Sequence, residues 1–223
     1  MNLLAIEMSA STGSAAILRS GSVLARGHWG GGAPLSEALF PELTRVASEA
    51  KLSWGEVDWF VAGRGPGKYS GLRMAATAVQ SLALPGGNMA GGVNSAEALA
   101  RDLAVETGHE QVAVIGDARR GYLWWGLLSP GRPFDCTLVK AQALAGLLPE
   151  RVLIASPDAD RLAGTLKSLH GGQRVAIMAV RVPTAEAVGC LAWERLRAGQ
   201  DLEPATPFYL HPAVAGMQTG TVS

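Results

Sequence analysis

The order of short apolar runs constrains this chain most, because it is written twice. Leu3 to Ile6 is an apolar run too short for a helix and ends at an acid, Glu7; a Ser/Thr/Gly turn follows, then Ala15 to Leu18 and Val23 to Ala25. From residue 111 the same grammar returns, with Val112 to Ile115 leading to Asp117, a polar turn, Leu123 to Leu128, and Cys136 to Val139. Short runs parted by turn residues predict strands, here a three-strand antiparallel meander at the head of each half. Residues 34 to 50 change to a helical period, with Leu35, Leu39, Leu43 and Val46 on one face, Phe40 and Ala47 beside them, Ser36 as a cap and Pro41 in the early turns. Val57 to Ala62 is predicted as a strand and Gly71 to Leu84 as an Ala-rich helix stopped by Pro85-Gly86-Gly87. Asn94 to Thr107 has capping-box spacing at its start and reads as another helix. The second half continues with helical pattern at 140–147, a strand at Val152 to Ala155, a helix at 158–169, a strand at Val175 to Met178 and a helix from Thr184 to Ala198. Two halves with one order of elements predict an α/β protein with subdomains 1–108 and 109–211, followed by a small-residue tail, 212–223, expected to fray.

Composition narrows the function classes. Nineteen Lys plus Arg balance nineteen Asp plus Glu, so no global field draws the chain towards nucleic acid or anionic lipid. With 48% hydrophobic and only 17% charged residues the chain is no solvated, disordered polymer, and its weak self-repulsion points to an oligomer or a complex. Cys136 and Cys190 stand 54 positions apart without a CxxC, which reads as two structural thiols. No basic leader opens the sequence, and no segment approaches the ~20 apolar residues that span a bilayer. A cytoplasmic protein is expected.

The glycine-rich stretch Ala62-Gly63-Arg64-Gly65-Pro66-Gly67-Lys68-Tyr69-Ser70-Gly71-Leu72-Arg73, set between a strand and a helix, carries the strongest local signal. One reading is a phosphate-cradling loop with Lys68 as its cation, but Tyr69 stands where such a loop needs a magnesium-binding hydroxyl. The other is a rigid connector whose glycines seat the helix tightly on the sheet. Small side chains at Ala75 and Ala76, with Leu72 and Val79, make that helix surface either core or a helix-to-helix contact. Asp117-Ala118-Arg119-Arg120 reads as a magnesium carboxylate with phosphate clamps, or as a hairpin corner in which Asp117 accepts turn hydrogen bonds. His28, His109, His170 and His211 never fall within four residues of each other, so the i, i+4 metal pair is missing. Trp124 and Trp125 alternate along a strand, one towards core and one towards the other face. Arg195 and Arg197 suit the C-terminal end of the last helix.

The duplicated order of strand meander, helix, strand and helix resembles the actin-like ATPase (ASKHA, ribonuclease H-like) fold, two similar halves facing each other across a nucleotide cleft. Four segments sharpen the resemblance: Leu4-Ala5-Ile6-Glu7-Met8-Ser9-Ala10-Ser11, Gly65-Pro66-Gly67 through Gly71-Leu72-Arg73, Asp117-Ala118-Arg119-Arg120-Gly121 and Pro207-Phe208-Tyr209-Leu210. In that order they resemble the TsaB (YeaZ) family of tRNA threonylcarbamoyladenosine biosynthesis, over residues 3 to about 211. The resemblance implies a non-catalytic scaffold that binds and activates a TsaD-like catalytic subunit, works beside a TsaE-like ATPase, meets tRNA mainly through the complex and forms a homodimer when alone. It implies no cofactor in this subunit, with ATP and metal held by the partners, and leaves Glu7, Lys68 and Asp117 as weak cofactor candidates. It places the partner contact on the helices at 35–50 and 71–84, where the expected residues are Leu39, Leu43, Leu72, Ala75, Ala76 and Val79. The chain departs from the family pattern at Glu7 for Asp, Lys68-Tyr69-Ser70 for Ser-Phe-Thr, Tyr122 for Glu and His211 for Arg. The competing expectation is a magnesium-dependent ATPase or kinase that uses the Gly65 to Ser70 loop.

Overall fold

A computed structural model describes residues 1–30, 34–170, 174–178 and 181–210, with side chains at 170 and 174–178 left aside. Strands β1 (Asn2–Glu7), β2 (Gly13–Arg19) and β3 (Ser22–Trp29) form the first meander, followed by α1 (Leu35–Ala50), β4 (Trp59–Gly63), α2 (Tyr69–Ala83), β5 (Met89–Val93) and α3 (Ser95–Thr107). The second half runs β6 (Val112–Arg119), β7 (Tyr122–Leu128), β8 (Cys136–Lys140), β9 (Arg151–Ala155), α4 (Ala163–His170), β10 (Arg174–Met178) and α5 (Ala185–Arg197). The sheets have the orders β3-β2-β1-β4-β5 and β10-β9-β6-β7-β8. In both, the leading strand pairs antiparallel with its hairpin partner and parallel with the strand after the first helical segment. The written repeat is therefore a repeat of topology.

Layering follows from the period-2 alternation of the strands. Leu4, Ile6, Ile17 and Phe60 meet α1 and α2 on one face of the first sheet. Leu3, Ala5, Leu18 and Val61 meet α5 on the other. The second sheet turns Ala113, Ile115 and Ile154 towards α4, while Val112, Val114 and Leu153 pack on Leu99 and Leu103 of α3. So α5, last in sequence, covers the first sheet, α3 covers the second, and the two helices touch between the sheets. Two interactions join these layers, and local bonds hold the helix ends. The Ala185 N–H donates to the buried Ser14 hydroxyl at 2.9 Å. Glu97 of α3, 4% exposed, accepts from Arg101 at 2.9 Å and pairs with Arg195 of α5. Both central helices carry side-chain caps, Asn94 accepting from Ala96 N and Glu97 N, and Thr184 from Ala187 N.

The glycine-rich turn seats α2 on the end of β1. A methyl group on Gly71 would overlap the Met8 carbonyl, and one on Gly67 the Ser9 carbonyl, while Lys68 N donates to Ser9 O at 2.7 Å. The connector reading of this turn is what the packing bears out.

Several expectations need correction. Leu39, Leu43, Leu72, Ala75, Ala76 and Val79 are between 0% and 6% exposed, packed inside the chain's own layers, so the alanine face of α2 is core and not a contact surface. The reason is the turn itself, which draws small side chains down onto the sheet. Phe40, expected beside the apolar face, is 55% exposed. Pro34, not Ser36, sits at the N-cap of α1, without a side-chain cap bond. Residues 141–147 form a 3-10 turn, α4 begins at Ala163 instead of 158, and β5, with its two glycines, had no apolar run to announce it. Trp124 is in the core beside α3 and Trp125 packs on the opposite face, as alternation predicts. Cys136 is buried, which pushes its thiol up to about 12, and Cys190 is half-buried; both are free. His211 and the tail 212–223 lie outside the described residues.

Gly71→Ala should lower stability by about 1–3 kcal/mol through overpacking, more than the helix-propensity gain of up to ~1 kcal/mol returns. Gly164→Ala, on α4 with nothing within reach of the new methyl group, should be neutral or slightly stabilising. Denaturant titration of both variants checks the pair, and equal effects would refute the tight seating. Glu7 gives a second test. It is 1% exposed beneath the same turn, its Oε1 accepting from Ser9 N at 2.5 Å, and burial lifts its carboxyl above the ordinary range against the opposing pull of Ser9 and Ser95. A folded form that holds its proton more tightly than the unfolded chain is favoured at low pH and loses that advantage as pH rises through the folded value. Glu7→Gln should therefore gain on the parent with rising pH, by roughly 2–4 °C in Tm for each ~1 kcal/mol. A parent–variant difference independent of pH would mean that the acid ionises alike in both states.

Candidate functional site

A cleft of about 980 Å³ opens between the two halves. Its first wall is the turn after β1 (Ser9 to Ser11) and the start of α2 (Pro66 to Tyr69, with Arg73). Its second wall is the β6–β7 corner (Asp117 to Arg119), Trp124, and the turn after β9 that carries Asp158, Asp160 and Arg161. Phe208, Tyr209 and Leu210 cross between them. The duplicated topology causes this placement: the turns after β1 and β6 leave the same end of the two sheets, so repeated loops face one another.

The three candidate residues do not converge as a catalytic set. Glu7 does not line the cleft; its Oε2 is buried without a hydrogen-bond partner, against Gly63 and the Ser95 hydroxyl, and that hydroxyl accepts from Gly65 N at 2.9 Å. A methyl group on Gly63 would overlap this carboxylate, so Gly63 is part of the acid's pocket. Lys68 lines the cleft and is exposed, while its backbone N–H is already used on Ser9. Asp117 lines the opposite wall as a hairpin corner: Oδ1 accepts from Arg119 N at 2.8 Å, and Oδ2 lies 3.3 Å from Arg119 and 3.7 Å from Arg161. Arg119 and Arg120 hold the turn at positive φ, before Gly121. Asp158 accepts from Asp117 N at 2.9 Å and pairs with Arg161.

An actin-like cleft implies a magnesium-bound nucleotide, and these acids do not fit that metal. The acid that ends β1 is sealed below the floor, and the acid after β6 is engaged by two guanidiniums and a turn amide. Among the described residues no group of three or more His, Cys, Asp or Glu is placed to hold a metal ion.

Sequence reasoning missed the aromatic edge of the cleft. Tyr69 and Tyr209 stack with ring centroids 5.2 Å apart and planes 26° apart, and the Arg73 guanidinium lies 4.4 Å over the Tyr69 ring. The two tyrosines are 140 positions apart, so no local pattern could pair them. Lys68, at the mouth beside this stack, and Arg73 are the cations of the first wall; Arg119 and Arg161 on the second are balanced by Asp117 and Asp158. His28, on β3, meets Glu186 of α5 at 3.0 Å, away from the cleft lining.

Comparison with known proteins gives this cleft its setting. The family model "TsaD: tRNA N6-adenosine threonylcarbamoyltransferase" matches residues 33–168, more than half of the chain. The tRNA threonylcarbamoyladenosine biosynthesis protein TsaB of Buchnera aphidicola subsp. Schizaphis graminum is 26% identical over 88 residues, 40% of this chain and 42% of that protein. The match thus spans less than half of that relative's length. YeaZ from Pseudomonas aeruginosa superposes with a TM-score of 0.79 at 26% identity, over 94% of this chain and 99% of the other. The activator of the 2-hydroxyisocaproyl-CoA dehydratase from Clostridium difficile, solved with bound ADPNP, shares the fold alone, with a TM-score of 0.53 and 10% identity over 89% of this chain and 97% of that one. The fold is that of the actin-like ATPases. Matched over more than half its length by that family model, and over nearly all of its backbone by YeaZ, the chain belongs to the family that the TsaD model describes, as a member of the TsaB/YeaZ type.

Proposed function

We propose that this chain serves tRNA threonylcarbamoyladenosine biosynthesis as a non-catalytic scaffold that binds and activates a TsaD-like catalytic subunit. The observation that carries the reading is the state of the two acids in the repeated positions: Glu7 is sealed beneath the floor and Asp117 is tied into the hairpin corner, so neither stands free in the cleft as phosphoryl chemistry on this loop pair would require. In this reading ATP and metal belong to the partner subunits, among them a TsaE-like ATPase. The complex, not this neutral chain, supplies most contacts to tRNA. The chain works in the cytoplasm and self-associates when alone; among the described residues no helix is long and apolar enough to cross a membrane.

The partner face moves from the buried side of α1 and α2 to their outer side. Both helices lie on the same face of the first sheet. Phe40 on α1 is 55% exposed and Leu84, just past α2, is 81% exposed. Large apolar side chains held out on helices whose inner faces are fully packed suit a partner that covers them.

Size-exclusion chromatography of the chain mixed with a TsaD-like subunit should give one co-eluting species. Phe40→Asp and Leu84→Asp should each weaken it at least about tenfold without changing Tm. Failure to co-elute, with both proteins folded, would sink the scaffold reading. Magnesium-dependent ATP hydrolysis by the isolated chain, abolished in Lys68→Ala, would install the loop-based ATPase in its place.

A further inference from the structure

Residues 203–210 leave α5 and run across the molecule to the cleft. Their hold on the first half is polar and repeated. Glu203 O accepts from Gly92 N at 2.8 Å and its carboxylate pairs with Arg64; Ala205 O accepts from the Gln80 side chain at 2.6 Å; Thr206 O accepts from Arg64 Nε at 2.8 Å; and Phe208 N donates to Arg64 O at 2.8 Å. Ala205 is buried in the core of the first half. The hold on the second half is apolar, through Phe208 and Leu210 packed with Trp124, Cys136 and Leu138. An extended chain turns successive side chains to opposite sides, and Tyr209, between those two, stacks on Tyr69 at the first turn of α2. One short segment is therefore gripped by both halves at the mouth of the cleft.

The geometry points to 203–210 as a latch that sets how far the cleft opens, with the Tyr69–Tyr209 stack as its releasable contact. The two halves cannot part at this edge while Phe208 and Leu210 stay on the second sheet, the backbone stays on Arg64 and Gly92, and Tyr209 stays on Tyr69. The stack is the solvent-facing link of the three, with Tyr69 55% and Tyr209 46% exposed, whereas Ala205 is 4% exposed. Because Tyr69 is the first residue of α2, a displacement of that helical turn is transmitted to the strap, and entry of a ligand at the cleft mouth is transmitted to α2.

The latch is tested on the full chain with spin labels at Ser11→Cys and Asp160→Cys, on opposite walls, in a Cys190→Ser background. Electron–electron distance measurements should show the long-distance population rising about threefold to tenfold in Tyr209→Ala, the range an aromatic pair supports. Tyr209→Phe, which keeps the stack, should match the parent. Tyr69→Ala, which removes the other ring, should reproduce the opening and carries the test if Tyr209→Ala fails to fold. A folded alanine variant with the parental distribution, or an opening in Tyr209→Phe equal to that in Tyr209→Ala, overturns the latch. None of these readings depends on a partner subunit, so the latch and the scaffold reading fail separately.

Discussion

The seating of α2 on the end of β1 is the contact on which the rest depends. Gly67 and Gly71 bring the turn onto the Ser9 and Met8 carbonyls at a distance that no side chain allows. That approach buries Leu72, Ala75 and Val79 and leaves Lys68 and Tyr69 at the mouth of the cleft. A larger residue at Gly71 would lift the helix, and with it the wall of the cleft. The same glycine-rich sequence that looks like a phosphate loop thus serves packing: Gly67 and Gly71 lie against the Ser9 and Met8 carbonyls, and the Lys68 amide donates to Ser9 O.

A second constraint is the placement of α3 and α5 between the sheets. Each half of the duplicated chain lends cover to a sheet in the other half, so neither core is complete without residues from both. Glu97, buried, and Arg195, half-buried, fasten the two helices, and removing the arginine would leave the buried carboxylate short of one of its partners. The strap at 203–210 leaves from the end of this pair and carries the connection on to the cleft. Helix exchange and strap together tie the two halves to one another at several points.

The cleft has the shape of the actin-like fold, lined by side chains that the repeated pattern does not specify. Its shape comes from repeated loops facing each other, which topology guarantees. Its chemistry comes from which side chains the loops turn inward, and here both acids in the repeated positions are absorbed, one by burial and one by arginines and a turn amide. The aromatic edge built from Arg73, Tyr69 and Tyr209 has no counterpart in the repeated pattern. Fold and site therefore follow from different parts of the chain.

Much of this was legible beforehand. The apolar runs at Leu3, Ala15, Val112, Leu123 and Val152 gave strands where strands lie, because period and turn residues are local signals. The four ordered motifs pointed to the TsaB/YeaZ type. β5 was missed because Met89-Ala90-Gly91-Gly92-Val93 holds no apolar run; it is a strand only because β4 lies beside it. The face of α2 was misread for the same kind of reason: alanines at helical spacing fit a partner helix or a sheet equally well, and the sheet lies outside the local window. The sequence by itself determined most of the elements, the duplication and the rigid turn, since each is encoded within a few neighbouring residues. Only the tertiary structure decided which face of α2 meets water, that Glu7 lies under the floor, that Glu97 meets Arg195 and that Tyr209 closes on Tyr69, because those depend on distances between residues the chain keeps far apart.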